Sequence, residues 1–119
     1  MTSDQPPVQV EFTPLFVRFL KYLAKKYRHV QADLQTLIDQ LERGEIPGDQ
    51  VKGTKHAVYK VRLKSTDIPK GKSGGYRVIY YLRTATRVVL LAMYAKTEQA
   101  DVPAAEIRRM IEDYEQQSE

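Results

Sequence analysis

The chain has no cysteine and only two histidines in 119 residues. No disulfide, thiolate metal site or cysteine nucleophile can therefore exist, and a reducing compartment suits the composition. Long apolar runs are also missing. The longest, Val88 to Ala95, is too short to span a bilayer. Met1 to Pro7 is polar, without the apolar core of a secretory signal, so a cytoplasmic protein with no membrane association is expected. Acids are scarce in one region above all: between Lys52 and Arg77 the only one is Asp67. With no paired carboxylates there, metal-dependent nuclease chemistry has no ligands, and no metal or other cofactor is expected. No Ser/His/Asp grouping and no phosphate-loop glycine pattern is present.

What that region does hold is cations. Lys52, Lys55, Lys60, Arg62, Lys64, Lys70, Lys72 and Arg77 face the single acid, whereas residues 1–51 carry six positive and seven negative charges. Residues 98–119 are the reverse, with seven acids against Arg108 and Arg109. A basic middle beside an acidic tail suggests an anion-binding surface that the tail partly shields. Lys60, Arg62 and Lys64 alternate with Tyr59, Val61 and Leu63. Alternate residues of a strand point to opposite faces, so the three cations form a row. Folding gains nothing from collecting like charges, but a polyanion does.

The chain is short enough for one domain over 1–119, with residues 1–7 a flexible lead-in. Val8, Val10 and Phe12 alternate as a strand. Thr13-Pro14 starts a helix that runs through about Tyr27. Val30, Leu34, Leu37, Ile38 and Leu41 mark a second helix that ends at Gly44. Residues 58–64, 76–82 and 87–96 read as strands, with a polar loop from Ser65 to Gly75 and the short link Arg83 to Thr86. Asp101 and Pro103 open a final helix carrying Ile107, Met110, Ile111 and Tyr114. The class is α+β: an N-terminal strand and helical hairpin packed on an antiparallel sheet of about four strands, with a C-terminal helix. If Tyr76, Val78, Tyr80 and Leu82 face the core, Arg77 shares the open face with the cationic row. Tyr94 and Lys96 have one parity, and Val89, Leu91 and Met93 the other. Tyr22, Tyr27, Tyr76 and Tyr80 suit the core or its rim. His29 is expected to be structural, and His56 a surface or turn residue.

The run Gly71-Lys72-Ser73-Gly74-Gly75-Tyr76-Arg77-Val78-Ile79-Tyr80-Tyr81, with Leu90 to Glu98 and Tyr59 to Lys64, resembles the RelE/ParE toxin superfamily, and within it the HigB-like branch of type II toxin–antitoxin systems. The resemblance implies a microbial-ribonuclease-like fold and a translation-inhibiting mRNA interferase that cuts mRNA on the ribosome, held in check by a cognate antitoxin. It leaves the oligomeric state open. The implied reaction is attack of a ribose 2′-hydroxyl on the neighbouring phosphate, which needs a base, an acid and cations for the transition state.

By position, Lys60 and Arg62 match the family's basic strand pair and Arg77 its phosphate-holding arginine. Arginine is hardly ever deprotonated, so phosphate stabilisation suits Arg62, and Lys60 or Lys96 is the better base candidate. Tyr94 is a stacking or proton-donating candidate. Thr97 and Val102-Pro103 stand where the family has an arginine and a tyrosine, which leaves the general acid open. Lys64, Lys70 and Lys72 are expected to contact RNA backbone, and Tyr81 to stack on RNA from the open face. The rival reading is a binder of the same fold that cuts nothing, either a DNA gyrase inhibitor or an RNA-binding relative.

Overall fold

The computed structural model describes residues 7–68, 75–99 and 101–117. Lys70, Lys72, Gly74 and all of the expected lead-in except the exposed Pro7 lie outside the described residues. The element order is β1 (Gln9–Phe12), α1 (Pro14–Lys26), α2 (Val30–Glu42), β2 (Asp49–Val51), β3 (Val58–Leu63), β4 (Tyr76–Thr84), β5 (Arg87–Ala95) and α3 (Ala104–Gln117). Thr13 caps α1 as expected, its hydroxyl accepting from the Phe16 N–H at 2.9 Å. Gly44, with φ +89°, follows the end of α2.

The strands form one sheet in the order β1-β5-β4-β3-β2. It is α+β as expected, with one strand more than the alternation shows. β2 is three residues long and is defined by pairing with β3 rather than by its own pattern. The sheet is also mixed, because β1 pairs with β5 in parallel. The chain between them runs through the α1–α2 hairpin and then β2, β3 and β4, well beyond the length a parallel connection requires.

Both sheet faces are covered. Tyr76, Val78 and Tyr80 of β4 meet Phe16 and Leu23 of α1 and Leu34, Leu37 and Leu41 of α2. On the other face, Val58, Ile79, Tyr81 and Val89 meet Ile107 and Ile111 of α3. Side chains this deeply buried contribute about 1.5–3 kcal/mol each. β5 is flanked by β1 and β4, which explains its unbroken apolar sequence.

The alternation expected for β5 breaks midway. Ile79 pairs with Ala92 but Tyr80 pairs with Leu90, which leaves Leu91 as an extra residue. Met93 thus joins the α1–α2 side, while Val89 and Leu91 join the α3 side.

Gly75 sets the start of β4. Its φ is +93°, and a Cβ there would lie 2.6 Å from the Leu63 carbonyl oxygen. Only glycine combines that backbone angle with so close an approach to the end of β3.

Candidate active site

The register places Arg62 of β3 opposite Arg77 of β4, and Arg77 opposite Tyr94 of β5. Directly opposed residues share a face, so these side chains form one row across three strands. Lys60 lies two residues along β3 on the same face. The Lys96 N–H donates to the Gly75 carbonyl at 3.2 Å, which carries the β4–β5 ladder one pair further and keeps Lys96 in step with Tyr94. The strand register thus brings Lys60, Arg62, Arg77 and Tyr94 to one face, and Lys96 follows in the turn after β5. Lys64 continues the row just beyond β3 and is exposed.

The row is not a uniformly open surface. Arg77 is only 7% exposed and Tyr94 only 3%. Arg77 Nη1 donates to the Tyr76 carbonyl at 3.2 Å, and Arg77 forms no ion pair among the described residues. A guanidinium at nine-tenths burial beside Arg62 is costly unless something anionic meets it.

Tyr81 is corrected. It faces the expected side, but α3 covers that half of the sheet, leaving the ring 2% exposed. Its hydroxyl donates to Glu115 of α3 at 2.5 Å, so the ring cannot stack on RNA. The apolar neighbours Val58, Ile79 and Val89 at that end of the sheet are what α3 buries. Tyr22 is corrected in the opposite sense: it is 54% exposed. His56 is exposed, in a turn where Thr54 bonds it twice. His29 precedes α2 and holds Asp67 through its backbone N–H (2.7 Å) and ring Nδ1 (2.8 Å).

Two acids contact this end of the sheet, and neither stands out in the sequence as more than part of an acidic tail. Asp101 Oδ1 accepts from Lys60 Nζ at 3.0 Å, from the Tyr94 hydroxyl at 3.4 Å and from the Val102 N–H at 2.8 Å. The Lys60 hydrogen bond, ahead of the Val102 N–H, holds the Asp101 carboxyl below its usual range. Burial first, and the Asp101 charge second, push the Tyr94 phenol up to about 12, with Arg77 opposing. The Tyr94 phenol therefore keeps its proton at physiological pH. Asp101, from the acidic tail, thus lies against both Lys60 and Tyr94. This is a concrete form of the shielding expected from the acidic tail.

Glu98 ties the end of β5 to α1. It accepts from the Tyr22 hydroxyl at 3.0 Å, and from Lys26 Nζ and the Tyr27 hydroxyl at 2.6 Å each. The Lys26 hydrogen bond is the main reason its carboxyl lies below its usual range. A depressed carboxyl stabilises the fold above its unfolded pKa, and that contribution is lost as pH falls through the folded pKa. Glu98→Gln is expected to lower Tm at neutral pH, with the difference from wild type closing below about pH 4. Calorimetry across that range checks it, and a pH-independent difference would exclude the linkage.

A family model described as the RelE toxin of the RelE/RelB toxin–antitoxin system matches residues 15–116. Among solved structures, the fold is similar to that of a mutant of the E. coli toxin RelE in the free state. The TM-score is 0.50 at 18% sequence identity, covering 94% of this chain and 98% of that one.

Proposed function

Because the chain belongs to the family of RelE toxins from RelE/RelB toxin–antitoxin systems, we propose that it is a ribosome-dependent endoribonuclease that cuts mRNA and so inhibits translation. Family membership also supplies its partners, a cognate antitoxin and the ribosome. The observation that carries the reading to particular residues is the row Arg62–Arg77–Tyr94 across three paired strands, with Lys60 and Lys96 beside it.

In this reading the RNA phosphate takes the place Asp101 now fills. Arg77 and Arg62 hold the non-bridging oxygens as negative charge builds on them. A lysine amine, Lys60 or Lys96, accepts the 2′-hydroxyl proton. The 2′-oxygen bonds to phosphorus, the bond to the 5′-oxygen breaks, and that oxygen takes a proton from Tyr94. The products are a 2′,3′-cyclic phosphate and a 5′-hydroxyl. No step of this scheme calls for a metal. Lys64 and the loop lysines Lys70 and Lys72 add backbone affinity without sequence choice.

Purified protein incubated with programmed ribosomes tests the proposal by mapping of mRNA ends. Cutting within the ribosome-bound message, and none of the same message free in solution, is the expected result. No cutting at any codon would overturn it.

A further inference from the structure

A second cationic surface lies on α1, away from the β3–β5 row. Arg18, Lys21 and Lys25 follow the spacing i, i+3, i+7, and all three are exposed. They stand on one helix face over about 10 Å. Arg28 is exposed in the turn just beyond. From Thr13 to His29 there is no acid. Among the described residues, Arg18, Lys21 and Lys25 form no ion pair.

Neither of the ordinary reasons for surface lysines accounts for this face. Cations favour a helix near its C-terminus, which covers Lys25, but Arg18 lies in the N-terminal half of α1, whose first turn has no acid. A solvated face usually mixes signs. Here the signs are segregated by helix, since α2 carries Asp33, Asp39 and Glu42 and no Lys or Arg. α1 and α2 are neighbours in the hairpin, yet no ion pair joins them among the described residues. Lys26 of the same helix pairs with Glu98, but no ion pair among the described residues relieves the repulsion among Arg18, Lys21 and Lys25.

The face also joins the active site. Tyr22 lies four residues from Arg18 and is 54% exposed. Arg18 and Tyr22 line a cavity of about 360 Å³ whose other wall includes Tyr94 and Glu98. Protein partners prefer an apolar centre depleted of lysine. The only exposed large apolar residue of α1 is Tyr22. Cations around one accessible aromatic ring match a nucleic-acid backbone with an unpaired base.

We propose that the Arg18–Lys21–Lys25 face of α1, with Arg28 and Tyr22, is a second RNA-contact surface that grips ribosomal RNA beside the cleavage site. It rests on the ribosome-dependent reading above and adds which face of the protein meets the ribosome.

The test is the full-length variant R18Q/K21Q/K25Q/R28Q. Its Tm is expected to equal or exceed that of wild type, because like-charge repulsion is removed and glutamine keeps helix propensity. Its dissociation constant for 70S ribosomes near physiological salt is expected to rise at least about tenfold, and the slope of log affinity against log salt to become shallower by about 3. Cleavage at saturating ribosome should stay within about twofold, since none of the four residues enters the chemistry. The single variant Lys21→Glu gives the same directions if the quadruple variant does not fold.

Unchanged affinity and slope beside intact wild-type cleavage would overturn this surface alone. Lost antitoxin binding with ribosome affinity intact would assign the face to the antitoxin and overturn it equally. A wild type that neither binds ribosomes nor cuts would instead bring down the functional reading on which it rests.

Discussion

Arg77→Ala is expected to lower the single-turnover cleavage rate on programmed ribosomes by about 10²–10³-fold, with a much smaller change in ribosome affinity. Arg77 is the middle member of the row, opposite Arg62 on one side and Tyr94 on the other. At 7% exposure it contributes little to an encounter with the ribosome, which surface cations govern. In the proposed reaction its guanidinium acts where charge develops, so its loss should fall on the rate. Arg77→Lys should recover only part of that rate, because an ammonium restores the charge but not the two-pronged geometry suited to a phosphate. Circular dichroism should report an intact fold for both variants. A rate unchanged in Arg77→Ala would remove this residue from the chemistry.

Gly75→Ala is expected to damage both stability and activity. The φ of +93° alone costs alanine about 1–2 kcal/mol. The added Cβ would also lie 2.6 Å from the Leu63 carbonyl oxygen, and backbone on both sides leaves no flexible side chain to give way. Together these give about 2–4 kcal/mol and a fall in Tm of order 10 °C. Relief comes only by moving the start of β4 from the end of β3, which parts Arg77 from Arg62. Misplacement by about 1 Å can cost 10²-fold in rate, so activity should fall even where the variant is folded. Gly44→Ala is the control. Its φ of +89° is comparable, but nothing lies within 4 Å of the added Cβ. It should show the conformational cost without the clash and leave cleavage unchanged. Equal Tm losses in the two variants would mean that the contact with Leu63 carries no weight.

The parts of the fold legible in the sequence are those fixed by local chemistry. Thr13-Pro14, Gly44 and the 3.6-residue spacing of α1, α2 and α3 need no distant partner to be recognised. The side of the sheet taken by Arg62, Arg77 and Tyr94 was equally legible, since a strand's period of two is geometric and no bulge falls between Tyr76 and Ile79 or between Ala92 and Ala95. What the sequence did not reveal depends on long-range pairing. β2 is a strand only because β3 offers it an edge. The extra residue Leu91 reverses the parity of β5 below it, and nothing in an all-apolar run marks the position. For Tyr81 the strand period gives the face but not the exposure, because parity does not say which half of a face a distant helix will cover. In the sequence, Asp101 and Glu98 stand out only as members of the acidic tail. Their contacts with Lys60, Tyr94, Tyr22, Lys26 and Tyr27 arise only once the chain folds back from β5 toward α3.

The central claim is that a cation-lined face drives attack of the message's own 2′-hydroxyl on the adjacent phosphate. The most direct measurement is the chemistry of the cut ends after reaction on programmed ribosomes. The account predicts a 2′,3′-cyclic phosphate, or the 3′-phosphate it hydrolyses to, on the upstream fragment and a free 5′-hydroxyl on the downstream one. A 5′-phosphate beside a 3′-hydroxyl would mean that water, not the ribose, attacks, and would contradict the roles given to Lys60, Lys96, Arg77 and Tyr94.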